Sequence, residues 1–243
     1  MINPLETVFE ECYTSVKTVQ EGFLLIETFK RLRHELIIPL YGIIYMIWFA
    51  FLEKTVIIPE YIIHSGLDDL IPFIEIFVIP YLLWFVYVAV SVLYFMWKDR
   101  REFHQLIGFL MIGMSLFLII SSLFPNGHDL RPATFPRNNI FTEMVAGIYA
   151  ADDSNNILPS IHVYNSIACW SAIRNSRFLK DRKPIRAGAC ILTWSIVLST
   201  VFIKQHSVID LISGVLLSGI VYPIFYCPAS PVYYRKIITK THP

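Results

Sequence analysis

The sequence predicts an all-α fold, a six-transmembrane-helix bundle with an N-terminal amphipathic helix, and three observations carry that expectation. Hydrophobic residues make up 55% of the 243-residue chain and charged residues only 16%, whereas an average soluble domain is about a quarter charged. Six apolar stretches approach the roughly 20 residues needed to cross a hydrocarbon core. Lysine and arginine cluster in alternate connections between those stretches, as the topology of a multi-pass membrane protein requires.

Residues 1–33 form the first predicted element. Leu5, Val8, Phe9, Cys12, Val16, Val19, Phe23 and Ile26 recur at spacings of three and four with acids between them, the pattern of an amphipathic helix on the cytoplasmic interface or against the bundle. Glu6, Glu10, Glu11, Glu21 and Glu27 are the wrong chemistry for a cleavable signal peptide. A membrane domain over 34–228 follows, with spans expected at 36–52, 71–97, 106–124, 157–173, 187–203 and 207–226. The second holds Pro72 and Pro80, which predict a kink or an interfacial first turn. The fourth is the most polar, with Ser160, His162, Asn165 and Ser166, and so belongs in a wet bundle interior rather than against lipid. The 125–156 segment reads as a long loop, and 229–243 as a basic cytoplasmic tail.

Charge sets the orientation. Of the 20 basic residues, only Lys54, Arg131, Arg137 and Lys204 fall on one side of the predicted spans. The others lie before span one, after spans two and four, and in the tail, so both termini are expected in the cytoplasm. A plasma-membrane protein fits this asymmetry, as does an endomembrane protein with a luminal site. His162 and His206 then sit at the non-cytoplasmic face, at the outer ends of spans four and six.

Those two histidines carry the chemistry. His206 is followed four residues later by Asp210, in the first turn of span six where a carboxylate is favoured by the helix dipole. Asp210 can reach back to one imidazole nitrogen and support the charge that grows as the other nitrogen attacks phosphorus. His162 can serve as general acid toward a leaving oxygen and later as base toward water. Ser160, after Pro159, starts a helix whose amides and hydroxyl suit an anion. Arg131, Arg137 and Lys204 are the candidate phosphate-binding cations. A metal site is the rival reading, built from His128, Asp129, Asp152, Asp153, His162, His206 and Asp210; the nearby arginines and lysine compete with a cation, so no metal and no cofactor are expected. Cys12, Cys169, Cys190 and Cys227 are scattered without metal-ligand spacing, and read as small buried hydrophobes.

On Pro159-Ser160-Ile161-His162, on Ser199-Thr200 with His206 and Asp210, and on Arg131-Pro132, the chain resembles the type 2 phosphatidic acid phosphatase superfamily of integral membrane lipid phosphatases. The motifs lie within 124–214. That family's patterns are lysine, six residues, Arg-Pro; Pro-Ser-Gly-His; and Ser-Arg, five residues, His, three residues, Asp. This sequence departs from them with Phe124 for the lysine, Ile161 for the glycine and Thr200 for the arginine; Arg137 and Lys204 are the candidate replacements. The resemblance implies metal-independent hydrolysis of a phosphomonoester or pyrophosphate, with His206 as nucleophile, Asp210 as its orienter, His162 as leaving-group acid and Arg131 as a phosphate ligand. Pro-Ser-(bulky)-His is similar to the branch holding inositol phosphorylceramide and sphingomyelin synthases.

The expected function is therefore a membrane lipid phosphate or diphosphate phosphatase working through a phosphohistidine. Its partners are a lipid phosphate, phosphatidate or a polyprenyl diphosphate, and the bilayer, with no nucleic acid. A phospho-head-group transferase differs only in the acceptor, a lipid alcohol in place of water. A catalytically inactive lipid-binding relative is the non-enzyme alternative, supported by the two missing basic residues. A transporter lacks support, because no paired Gly-broken helices or inverted repeats are visible.

Overall fold

A computed structural model describes residues 38–56 and 58–227. The expected amphipathic helix over 1–33 and the tail over 229–243 lie outside the described residues. Of these, 72% are helical and 3% are in strands. The chain divides into two compact units, Met1–Trp48 and Phe49–Pro243. Residues 38–55 are helical (α1). The second unit then holds β1 (Tyr61–Ile62), α2 (Gly66–Leu70), a 3-10 turn (Glu75–Phe77), α3 (Val78–Lys98), α4 (Arg100–Leu123), β2 (Asn126–Gly127), α5 (Ile140–Ala151), α6 (Ile161–Asn175), α7 (Lys183–Phe202) and α8 (Val208–Tyr226).

Four helical segments are long and apolar enough to cross a membrane: Glu75–Lys98, Arg100–Leu123, Lys183–Phe202 and Val208–Tyr226. Their boundaries follow from local chemistry. Pro80 stands in the first turn of α3, where its missing N–H forfeits no helical bond. Asp99 separates α3 from α4 and caps the latter, accepting from the Glu102 amide at 2.9 Å. Pro184 opens α7. Ser207 caps α8 in a reciprocal capping box with Asp210.

Six spans were expected, and the structure has four helices of spanning length and composition among the described residues. The difference over 157–173 has a physical reason. α6 has only 15 residues and is packed against α3, α4, α7 and α8 at once. Enclosed in this way, it shows little surface to its surroundings: His162, Asn165, Ser166 and Ser171 are buried along with Val163, Ala168 and Cys169. A helix sheathed by four apolar neighbours needs neither their length nor their hydropathy.

The loop expected over 125–156 instead contains α5, started by Asn139, whose side chain accepts from the Phe141 and Thr142 amides. The short α2 was likewise not foreseen. It is held by Ser65 and Asp68 in a second capping box.

Long apolar helices leave apolar outer faces. Phe85, Val86 and Val90 of α3, Ile191 and Leu198 of α7, and Ile212, Leu216 and Ile220 of α8 are all exposed. Soluble monomers rarely show so much contiguous apolar surface, and these faces are compatible with a membrane-embedded protein. Inside, polar side chains pair across helices. Thr193 of α7 donates to Tyr87 of α3 at 3.2 Å, and Tyr164 of α6 donates to the Phe109 carbonyl of α4 at 2.8 Å. Tyr164 occupies the space against Gly113 that any larger side chain on α4 would fill.

The connections at one end converge. β1 and β2 pair in parallel, Tyr61 with Asn126 and Ile62 with Gly127. Fully buried Asn126 then accepts from the Ile157 and Leu158 amides at 3.0 and 2.9 Å. That single side chain ties the end of α4 to the strand of backbone leading into α6, and so sets where His162 begins.

Candidate active site

α6 and α8 start side by side. The Ser160 amide donates to the Asp210 carbonyl at 3.3 Å, and a Cβ on Gly214 would lie 2.9 Å from the Ser160 carbonyl oxygen. Glycine is needed there because the two backbones approach too closely for a side chain. Ser160 is the N-cap of α6, fully buried, with its hydroxyl accepting from the Val163 amide at 3.5 Å. His162 thus comes from the first turn of one helix, and His206 from the turn that precedes the other.

That turn is made by the end of α7. The Gln205 and His206 amides both donate to the Thr200 carbonyl, at 2.9 and 3.0 Å, and Lys204 takes a left-handed backbone (φ 54°). A non-glycine residue in that region costs roughly 1–2 kcal/mol. Here the Lys204 side chain helps to hold it, with Nζ donating to the Asp68 and Ile71 carbonyls at 2.6 Å each. Burial lowers the Lys204 pKa from its ordinary value.

Asp68 completes the clasp. Its carboxylate accepts from the Ser65 amide at 2.8 Å, the Ser207 hydroxyl at 2.6 Å and the Val208 amide at 2.8 Å. An acid on the first amides of α8 also meets the positive end of that helix. α2 is therefore a strap across the turn carrying His206.

Within this frame the imidazoles meet. His206 Nε2 lies 3.4 Å from His162 Nδ1, with ring centroids 5.5 Å apart. The other His206 nitrogen, Nδ1, is 3.5 Å from Asp210 Oδ2. Asp210 Oδ2 also accepts from the Ser207 amide at 2.8 Å, whereas its Oδ1 is buried without a hydrogen-bond partner. His162 is walled by aromatics of α3, with Tyr81 and Trp84 ring centroids at 4.7 and 4.3 Å. Both histidines and Asp210 are buried.

Arg131 reaches the same corner. It stacks on Tyr149, 4.5 Å from the ring centre, and donates to the carbonyls of Tyr149 and Asp152 at the end of α5 at 3.2 and 2.7 Å. It also donates to Gln205 Oε1 at 2.6 Å. Most of its fork braces the loop ahead of His206, and Nε is left buried without a partner. Burial raises the Asp152 carboxyl pKa, opposed by the charges of His206 and Arg131. His128 is the third buried histidine. Its Nδ1 accepts from the Leu130 amide at 3.1 Å, and burial together with the His206 and Arg131 charges pushes its pKa down to about 3. A cleft of about 350 Å³ opens beside it, lined also by Glu53, Pro59, Asp153, Ser154 and Asn155.

No family model, curated protein or solved structure matches this chain significantly, so its chemistry is argued from these positions. Buried polar atoms without partners are rare in folded proteins. Here Arg131 Nε, His206 Nδ1 and Asp210 Oδ1 are in that condition. The Arg131 guanidinium among them is a charged donor that suits an oxyanion.

The structure brings His162, His206, Asp210, Ser160 and Arg131 to one end of the helix cluster. It does not bring Arg137, which is largely exposed and paired with Glu75 at 3.0 Å. Lys204 stands two residues before His206 in sequence, but directs its ammonium to the Asp68 and Ile71 carbonyls. Among the described residues no group of three or more His, Cys, Asp or Glu side chains is placed to hold a metal ion.

Asp68, Gln205, Tyr81 and Trp84 were missed from the sequence, and His128 was weighed only as a metal ligand. Asp68 had a readable signal, because Ser65-Gly66-Leu67-Asp68 is a capping-box pattern. Its bonds to Ser207 and Val208 had none.

Proposed function

We propose that this protein is a membrane lipid-phosphate phosphatase acting through a phosphohistidine at His206, and the observation that carries the reading is the His162–His206–Asp210 array. Asp210 faces Nδ1 and leaves Nε2 as the attacking nitrogen. His206 Nε2 attacks phosphorus, the phosphorus–oxygen ester bond breaks, and His162 gives its proton to the departing lipid alkoxide. Water then attacks phosphorus while His162 takes its proton, the phosphorus–nitrogen bond breaks to return the electron pair to His206 Nε2, and inorganic phosphate leaves. A phosphoryl group must enter between rings now 3.4 Å apart, so they separate as substrate binds.

Transfer of this kind needs positioning and charge stabilisation above all, and the unpartnered Nε donor of the Arg131 guanidinium supplies the second. In this reading α1 and α6 join the four long helices as six spans, an amphipathic helix covers 1–33, and the histidine end faces away from the cytoplasm. Phosphatidate and polyprenyl diphosphates are the candidate substrates, since an apolar exterior selects a lipid-linked phosphate.

Purified protein in detergent should release inorganic phosphate from phosphatidate with a chelator present, vanadate should inhibit it, and His206→Ala should abolish it. Release unaffected by His206→Ala would overturn the nucleophile. A new phospholipid formed when an acceptor alcohol is added would favour transfer.

A further inference from the structure

The wall behind the general acid holds a polar atom that the proposed chemistry does not use. Trp84 of α3 packs on the His162 ring, with centroids 4.3 Å apart and planes inclined by 48°. The indole is partly exposed, yet its Nε1 is buried and has no hydrogen-bond partner. A buried tryptophan N–H usually finds one, and leaving such a donor unmet is costly. Indole donates and does not accept, so the missing partner is an acceptor atom. Tyr81, one turn earlier and stacked on His162 at 4.7 Å, does not provide it, and its hydroxyl pairs with the Gln205 side chain.

Position narrows the acceptor. In the proposed reaction His206 attacks phosphorus from one side, and His162 protonates the oxygen that leaves from the other. A side chain stacked on His162 therefore borders the departing lipid. Trp84 also meets Phe85 edge to face at 4.8 Å, and Leu83, Phe85 and Val86 are exposed on the outer surface of α3. The indole thus stands between His162 and the apolar exterior against which a lipid's hydrocarbon can lie. Charged phosphoryl oxygens suit the Arg131 guanidinium. A neutral N–H on the lipid side suits a neutral oxygen. In an acyl lipid such oxygens are the carbonyls of its ester or amide linkages, a short way beyond the phosphate. A polyprenyl diphosphate has only hydrocarbon there.

We propose that Trp84 is a substrate-binding residue that selects acyl lipid phosphates, its indole N–H donating to a carbonyl oxygen of the lipid whose phosphate His206 attacks. This rests on the phosphatase reading and deepens it, because it separates the two candidate substrate classes. Nε1 becomes reachable when the His162 and His206 rings part to admit the phosphoryl group, a movement that binding already requires. The bond then holds the lipid backbone against the ring that protonates the leaving oxygen.

The test compares dioleoyl phosphatidate with its dialkyl ether analogue of equal chain length, in which methylenes replace both carbonyls. Both are assayed on one preparation of full-length protein in detergent, so the ratio of their kcat/KM values does not depend on the folded fraction. Trp84→Phe keeps an aromatic ring beside His162 and removes the N–H. Wild type should prefer the diacyl substrate by roughly three- to tenfold, the worth of one neutral hydrogen bond, chiefly through KM. In Trp84→Phe that preference should disappear. The same ratio in both proteins, including an equal loss on both substrates, would mean that the indole only packs on His162, and it overturns the proposal. So does a wild type without preference, or one that releases phosphate from a polyprenyl diphosphate and from neither glycerolipid; the phosphatase reading survives each of these. Wild-type protein that releases phosphate from none of the three lipids overturns both.

Discussion

At the scale of single residues, the weight falls on how Asp210 divides its two oxygens. One accepts from the Ser207 amide and lies 3.5 Å from His206 Nδ1, and the other is buried without a partner. Asp210→Asn can keep the amide bond through Oδ1 while losing the charge that supports an imidazolium. Turnover on phosphatidate should therefore fall by about a hundredfold or more, with KM changed little. Steady-state kinetics with an unchanged kcat would remove Asp210 from the mechanism. His128 supplies a second residue-scale expectation, in stability. Its folded pKa of about 3 lies below the ordinary histidine value of 6.5, so the unfolded chain binds a proton that the folded protein refuses. Stability is then undiminished above about pH 6.5 and declines as pH falls toward 3, at up to about 1.4 kcal/mol per unit. Melting curves between pH 7 and pH 5 should fall more steeply for wild type than for His128→Gln, and parallel curves would contradict the assignment. Of the residues involved, the two histidines, Asp210, Ser160 and Arg131 were legible because a polar group beside an apolar run stands out. Gln205 was not, because an amide next to Lys204 and His206 draws no attention until Arg131 is seen to hold it.

At the scale of elements, α2 shows what a hydropathy reading passes over. A five-residue helix with two acids resembles any solvated loop in a window tuned to twenty apolar residues. Its role depends on contacts far away in sequence, from Asp68 to Ser207 and Val208 and from Lys204 to the Asp68 and Ile71 carbonyls. Asp68→Ala would leave the Ser65 and Val208 amides and the Ser207 hydroxyl without their acceptor. We expect a loss of roughly 3 kcal/mol, at about 1–3 kcal/mol per orphaned group with partial rescue by water, together with lower kcat because the His206 turn loosens. A thermal melt and an activity assay on the same preparation check this, and an unchanged melting temperature would show that α2 is not a strap. The long helices were legible for the opposite reason. Span six was expected over 207–226, and α8 runs Val208–Tyr226, because its capping box and its apolar run agree. α6 begins four residues later than span four was expected to and is shorter than the four long helices. Its polarity pointed to an interior, yet its shortness follows from enclosure by four neighbours, which no local pattern reveals.

At the scale of the whole molecule, the proposal ties one end of the bundle to one side of a membrane. Lys180 and Asn138 lie in connections that the basic-residue asymmetry puts on opposite sides. In sealed cells, an impermeant thiol reagent should label Asn138→Cys and spare Lys180→Cys until the membrane is opened. The reverse pattern would turn the histidines toward the cytoplasm. The account as a whole stands on a covalent bond between phosphorus and one imidazole. The measurement that reaches it is rapid quenching of the protein during turnover of ³²P-labelled phosphatidate, followed by peptide mapping. An acid-labile, alkali-stable label on the peptide containing His206, absent from His206→Ala, is the predicted result. Turnover without any trapped label, or a label on another residue, would contradict it.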